Sequence, residues 1–301
     1  MRKLEFVQLL YNPTAGKRRK SRKFIEQLVY LLAQEREHVR VYPSKEKGDL
    51  TRFFDTFDPE GCKAIFILGG DGTINEVVNG MMNHSVDVPV FVCPIGTAND
   101  FAYYLGVKPK AKKCVELYKA GKLGGIDVGV ANDQYFINIC GAGLFMNSTM
   151  EFDPAKKAKW GKLAYYAKGV SMVKLLKHYR LRVVAEETEI EDDFFFFIAM
   201  NGVSTGGLKK IACDAVADDG LLDFVGVKYI KFRSVVPLFI KLLLGRHLHN
   251  KNVVYFRTKQ LYVEAVNHDW VFGHADMDGQ HGPDLPMNIS VIPKALRFFI
   301  K

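Results

Sequence analysis

The apolar run Ala64-Ile65-Phe66-Ile67-Leu68 leads directly into Gly69-Gly70-Asp71-Gly72-Thr73 and then Ile74-Asn75-Glu76-Val77-Val78. Five consecutive apolar residues suit a buried strand. Three glycines around one aspartate make a turn whose backbone can lie against a ligand without side-chain obstruction. Thr73, with Glu76 three residues on, reads as a capping box that opens a helix. Ile74, Val77, Val78 and Met81 then recur at helical spacing. A strand, a glycine turn and a helix N-terminus together favour a bound phosphate, through free N–H groups and the helix dipole. A phosphate would repel the Asp71 carboxylate, so its presence points to metal binding or proton transfer.

The first third of the chain alternates strand-like and helix-like segments, which predicts a parallel sheet with crossover helices. Phe6–Tyr11, His38–Tyr42, the run ending at Gly69 and Val88–Ile95 are the strand candidates, and Ser21–Gln34 is a helix. Three strands end in comparable turns: Asn12-Pro13-Thr14-Ala15-Gly16-Lys17, the Gly69–Thr73 turn, and Gly96-Thr97-Ala98-Asn99-Asp100. Ligands gather at the carboxyl ends of strands in such sheets. The first turn lacks Walker A spacing, but its Lys17 could neutralise a phosphate as a point charge. The third offers a hydroxyl, an amide and a carboxylate where a helix starts, with Thr97 as its natural cap. Gly141-Ala142-Gly143 has no further glycine in register and carries little weight as a dinucleotide loop.

Beyond Gly124-Gly125-Ile126-Asp127 short strands take over, at Gln134–Ile139, Leu181–Ala185, Phe194–Met200, Leu221–Val227, Val253–Phe256 and Leu261–Ala265. That spacing predicts an antiparallel sandwich or barrel, interrupted by helices at Trp160–Lys177 and Ser234–Leu244. The expected division is residues 1–126 with 295–301 as one domain, and 127–294 as the other. Asp218-Asp219-Gly220 and Asp276-Met277-Asp278-Gly279-Gln280 are acidic clusters; Asp-Gly is first a hairpin signal, but carboxylates near a phosphate site also suit Mg²⁺.

The longest apolar stretch, around Val235–Leu244, is too short to span a bilayer, which needs about 20 residues. With no apolar leader at the start and a mean hydropathy of −0.03, a cytoplasmic location is expected. Cys62, Cys93, Cys114, Cys140 and Cys213 are scattered and read as reduced core thiols. The net charge of +9 favours acidic partners. From Pro154 to Arg182 every charged residue is basic, and Leu163, Tyr166, Val170, Val173 and Leu176 fit one helix face. A basic amphipathic helix with an aromatic suits an anionic membrane surface. No nucleic-acid motif accompanies the basic runs, so no nucleic-acid partner is expected.

Taken together, the Asn12–Lys17 loop, Gly69–Thr73, Gly96–Asp100 and Ala215…Asp218-Asp219-Gly220-Leu221-Leu222-Asp223 resemble the diacylglycerol kinase catalytic family. Its soluble bacterial lipid kinases, relatives of sphingosine and ceramide kinases, are the nearest likeness. The Gly-Gly-Asp-Gly-Thr element alone is shared with NAD kinases and is similar to a phosphofructokinase loop; the combination with Gly-Thr-Ala-Asn-Asp is more specific. The resemblance implies an α/β nucleotide-binding domain followed by a β-sandwich domain, with ATP in the cleft between them. It implies nucleotide contacts from Asn12, Pro13, Gly16, Lys17, Ser44, Gly69, Gly70, Gly72, Thr73, Asn75, Glu76, Gly96, Thr97, Asn99 and Asp100. It also implies a Mg²⁺ held by Asp219 with the carbonyls of Val216 and Leu221, and a final segment, Ala295–Ile300, returning to the first domain. A homodimer is a further expectation.

One departure stands out. The family usually reads Asp-Gly-Glu where this chain has Asp278-Gly279-Gln280, and glutamine accepts no proton at neutral pH. The base is then Asp71 or Asp278, or the chain is slow. The expectation adopted is an ATP-dependent lipid kinase, peripheral on the inner membrane face, with Asp71 accepting the proton, Asp278 assisting and Gln280 beside them. The alternatives are an NAD kinase, and a catalytically weak nucleotide-binding regulator.

Overall fold

A computed structural model describes residues 4–16, 18–96, 99–143, 178–202, 216–266 and 274–301. Lys17, Thr97, Cys213 and the basic segment 160–177 lie outside them.

In the first lobe β1 (Phe6–Tyr11), β2 (Val39–Pro43), β3 (Cys62–Gly69) and β4 (Val90–Pro94) are parallel, in the spatial order β2-β1-β3-β4. All five residues of β4 are buried, as expected of a strand with both faces covered. Helices α1 (Arg18–Gln34), α2 (Asp49–Arg52), α3 (Asp71–Asn83), α4 (Asp100–Tyr104) and α5 (Ala111–Ala120) connect them. Leu28 and Leu32 of α1, Val77, Val78 and Met81 of α3, and Cys114 and Val115 of α5 share one core with Phe66 and Phe91.

The second lobe is antiparallel. Its strands are β5 (Leu123–Ala131), β6 (Gln134–Phe136), β7 (Ile139–Gly143), β8 (Tyr179–Ala185), β9 (Thr188–Met200), β10 (Leu222–Lys228), β11 (Val253–Thr258), β12 (Gln260–Ala265), β13 (Asp276–Met277), β14 (Gln280–His281) and β15 (Met287–Phe299); α6 (Phe232–Leu243) follows β10. Along β9, Phe197 and Ala199 enter the inner core with Phe224, Val263 and Met287, while Ile198 and Met200 face outward beneath Leu238 of α6. This is the period-two alternation of a strand covered on both faces. Gly141-Ala142-Gly143 lies within β7, so it forms no loop.

Two strands join the lobes. Ile289–Ile292 of β15 pairs with Val128–Ala131 of β5 in the second lobe, and Leu296–Phe299 pairs with Leu123–Ile126 beside the first. Phe298 also pairs with Val90 of β4, in parallel. The register shifts between Ile292 and Leu296, so Pro293-Lys294-Ala295 bulges opposite Asp127. The Gly124–Asp127 stretch reads as a boundary in sequence, yet it lies inside β5. Its glycines mark close approach rather than a turn: a Cβ on Gly124 would lie 2.9 Å from Ile300 Cδ1, and one on Gly125 2.9 Å from Lys294 Cβ.

Candidate active site

The three strand-end turns pack backbone to backbone. Gly16 has φ +67, and a Cβ there would lie 2.1 Å from the carbonyl oxygen of Ile95. A Cβ on Gly96 would lie 2.4 Å from the Cα of Gly70, and the Gly96 N–H donates to the carbonyl of Gly69 at 3.2 Å. In the first turn the Asn12 side-chain oxygen accepts from the N–H and hydroxyl of Thr14, at 2.8 and 2.7 Å.

Helix α3 starts three residues earlier than the capping-box pattern predicts, since that pattern puts the N-cap at Thr73. Gly70 is its N-cap, with no side-chain cap, and the Thr73 and Ile74 amides donate to the Gly70 carbonyl. Thr73 is buried in the first turn, packed beside Gly69. With no side chain closing the helix end, its first amides remain suited to an anion. In the third turn the N-cap of α4 is Asn99, in the left-handed region at φ 56, and its Nδ2 donates to the Gly96 carbonyl at 2.8 Å. Asp100 is buried in the first turn of α4.

Asp71 stands at the start of α3, and its Oδ1 accepts the Phe101 N–H at 3.3 Å. Burial lifts its pKa above the ordinary 3.8, and the nearby Asp100 charge adds to the rise, against the lowering effect of backbone N–H donors. A carboxylate raised towards neutrality, at the meeting of the second and third turns, is chemically suited to accept a proton.

Asp278 behaves differently from the expectation. It is buried, and its carboxylate accepts four hydrogen bonds: from the N–H of Ile137 (2.7 Å), of Asn138 and of Ile139 (3.0 Å each), and from Asn75 Nδ2 (3.1 Å). Burial raises its pKa to about 6, with those donors opposing the rise. Its oxygens are occupied inside the protein, so it holds the lobes together rather than assisting as a base. Asn75 belongs to the same junction: its Nδ2 also donates to the Tyr135 carbonyl at 2.9 Å, reaching the second lobe. Asn79, one turn further along α3, accepts the Tyr135 N–H at 3.0 Å and donates to its carbonyl at 2.8 Å. Nothing in the sequence singled out Asn79; only its i, i+4 relation to Asn75 placed it on the same face.

Asp278 and Gly279 both have positive φ, 55 and 83, and form the two-residue turn between β13 and β14. This turn carries Gln280 into the cleft, where a Cβ on Gly72 would lie 2.9 Å from Gln280 Nε2. The cleft, about 350 Å³, is lined by Asn12, Thr14, Ser44, Lys45, Glu46, Lys47, Glu76, Gly279 and Gln280. Lys45 and Lys47 were not picked out from sequence, because surface lysines after a strand carry no signal of their own. Asp49 fixes the loop that presents them, accepting the Lys45 N–H at 2.9 Å and the Tyr42 hydroxyl at 3.2 Å. Pro13, between Asn12 and Thr14, is partly buried.

The residues expected to hold Mg²⁺ do not fit a bound cation as they stand. One oxygen of Asp219 accepts the Leu221 N–H at 3.0 Å, and the other is paired with the Arg257 guanidinium. Val216 is exposed, and among the described residues no group of three His, Cys, Asp or Glu side chains converges. The fully buried Asp127 organises this loop instead. Its carboxylate accepts the Gly220 N–H at 2.6 Å and the Lys294 N–H at 2.7 Å, tying the loop to the β15 bulge.

Residues 7–131 match the family model described as diacylglycerol kinase catalytic domain, and residues 148–300 match the YegS C-terminal NAD kinase beta sandwich-like domain. A diacylglycerol kinase of Bacillus subtilis (strain 168) is 29% identical over 281 residues, 93% of this chain and 91% of the relative. A diacylglycerol kinase of Staphylococcus carnosus (strain TM300) is 28% identical, covering 94% and 90%. A crystal structure of a protein named as a diacylglycerol kinase from Bacillus anthracis str. Sterne covers 99% of this chain and 98% of that one, with a TM-score of 0.76 at 24% identity. A further structure from the same organism gives a TM-score of 0.81 at 26% identity, covering 99% and 98%.

Proposed function

Because this chain belongs to the diacylglycerol kinase catalytic family and is a lipid kinase, we propose that it transfers the γ-phosphate of ATP to a diacylglycerol hydroxyl. The products are phosphatidic acid and ADP. The observation that carries this reading is the cleft in which first-lobe loops meet Gly279 and Gln280 of the second lobe.

In the reaction the lipid hydroxyl oxygen attacks the γ-phosphorus in line, the bond to the β-phosphate oxygen breaks, and the hydroxyl proton passes to Asp71. ATP enters as its Mg²⁺ complex. The free amides at the start of α3, with Lys45 and Lys47 along the cleft, offset the charge that develops on the transferring group. Lys17 follows Asn12 and Thr14 of the cleft in the same turn by sequence. Glu76 also lines the cleft, which supports reading its carboxylate as an acceptor for nucleotide hydroxyls. The Asn75–Asp278 clasp fixes how the two lobes face each other, and so the distance over which transfer occurs.

The relatives reported above carry the name diacylglycerol kinase, which favours this reading over an NAD kinase. A weak or silent nucleotide-binding regulator is the second reading, favoured by Gln280 alone. A labelled-ATP screen against extracted membrane lipids, with Asp71→Asn as the blank, tests the main one. Label in phosphatidic acid is the expected result; nucleotide binding without transfer to any lipid supports the regulator, and a sharp gain in Gln280→Glu would identify the glutamine as the defect. The protein is read as acting at the anionic inner face of a membrane; no helix among the described residues is long and apolar enough to cross one.

A further inference from the structure

Between Asp223 and Glu264 the chain carries no carboxylate, while eight of its residues are lysine or arginine. Helix α6 lies in this segment. Its Leu238 and Val235 pack on the outer face of the second-lobe sheet, against Phe195, Ile198 and Val225. Positions 233, 237, 240, 241 and 244 fall on the opposite face by their spacing of three and four. There Ile240 and Leu244 are 51% and 57% exposed, and Arg233, Pro237 and Lys241 are exposed beside them. An open cleft of about 350 Å³ adjoins this face, lined by Arg233, Lys241, His249 and Lys251 with Ser234 and Asn252. No carboxylate lines it. Lys228 is taken by Asp192 at 2.7 Å and Arg257 by Asp219, whereas Arg233, Lys241, Arg246 and Lys251, on α6 and the loop after it, form no ion pair among the described residues.

We propose that this face docks the enzyme on anionic phospholipid. Ile240 and Leu244 enter the boundary between headgroups and acyl chains, and the basic cleft takes the phosphate of an anionic headgroup. The pairing of exposed aliphatic side chains with carboxylate-free basic neighbours is what selects a membrane. Two large aliphatic side chains are exposed among the described residues of this face; they add nothing to a contact with nucleic acid and fall short of the apolar area of a stable protein interface. The choice of partner rests on the lipid-kinase reading, but the test reads binding without turnover.

The full-length protein is sedimented with phosphatidylcholine vesicles, with and without phosphatidylglycerol, at low salt. Binding is expected only when phosphatidylglycerol is present, and it weakens as salt rises. Arg233→Gln, Lys241→Gln and Lys251→Gln combined lower the affinity by on the order of a hundredfold, from the contribution of each basic residue near an anionic surface. Ile240→Ser with Leu244→Ser lowers it by roughly tenfold or more. Both variants keep wild-type phosphorylation of detergent-dispersed lipid, which shows that they are folded. Wild-type protein that ignores the anionic vesicles overturns the proposal. So does a triple variant that binds them as wild type does, or protein retained by a single-stranded oligonucleotide and not by vesicles. Vesicle binding by a protein that phosphorylates no lipid would leave the docking surface standing and remove the kinase reading.

Discussion

Asn75 Nδ2 donates to Asp278 Oδ2 at 3.1 Å, joining residues 203 positions apart and both buried. Asn75 sits on the helix that opens with the glycine turn, and Asp278 on the hairpin that delivers Gln280. One hydrogen bond thus ties the helix that follows the glycine turn, whose Glu76 lines the cleft, to the hairpin whose Gly279 and Gln280 line the same cleft. Asn75→Ala removes the donor and leaves a buried carboxylate with one partner fewer. It should lower stability by about 1–3 kcal/mol in urea unfolding. Turnover should fall with it, because the lobes are no longer held in register.

The Asp278 carboxyl gives this clasp a pH signature. Its folded pKa is raised to about 6 from 3.8, so the native state holds the proton more tightly than the unfolded chain does. Its contribution to stability is therefore greatest below the unfolded value and is lost as pH rises through about 6. Melting temperatures of wild type and Asp278→Asn, compared from pH 4 to pH 8, should diverge in that window, with the wild-type curve carrying the extra downward slope. Parallel curves would remove the assignment.

Asp71→Asn keeps the shape and the Phe101 contact but cannot take a proton. The turnover number should drop by roughly 10²–10⁴-fold, with little change in melting temperature. Because burial and Asp100 raise the wild-type pKa, the acid limb of the wild-type rate profile should lie above the ordinary carboxylate range and vanish in the variant. Equal activity in the two proteins would transfer the base to another group.

Gly96→Ala places a methyl group 2.4 Å from the Gly70 Cα, against backbone that has no side chain to swing aside. The second and third turns must separate. Calorimetric titration with a non-hydrolysed ATP analogue should show much weaker binding, and unfolding should be destabilised by about 1–3 kcal/mol.

Arg257 sits where a cation was expected. Its Nε also approaches the buried Asp223 at 3.6 Å. Arg257→Ala should cost about 1–3 kcal/mol, discounted from a fully buried pair because the guanidinium is partly exposed. The wild-type melting temperature should not respond to EDTA, whereas added Mg²⁺ should partly restore the variant. A wild type that melts lower in EDTA would reinstate the metal at Asp219.

The α/β lobe was legible because its signals are local. The run into Gly69 gave strand β3, and Ile74, Val77, Val78 and Met81 gave the buried face of α3. The start of α3 was misplaced because Thr73 and Glu76 imitate a capping box, while the turn places Gly70 at the N-cap. The boundary near residue 126 rests on a shift to short strand candidates; what the pattern does not carry is that β5 runs through it, with the Phe136 ring lying against Gly129. The convergence of strand-end turns was visible, but the identity of what meets them was not. Asp278 looked like a second base because an Asp-Gly turn in sequence does not say which way its carboxylate faces. Long-range pairing fixes that, and Asn75, Asn79 and Asp127 owe their places to partners 56 to 203 positions away.

The strand β15 also constrains the order in which this molecule can be assembled. Strand β4 gains its neighbour on that side from Phe298, near the end of the chain. A ribosome that has released the first 130 residues has supplied every glycine turn, yet the sheet that carries them still has an open edge. Closure waits for the last strand to thread back. A product truncated before Leu296 would retain every residue of the three turns and still lack that final neighbour.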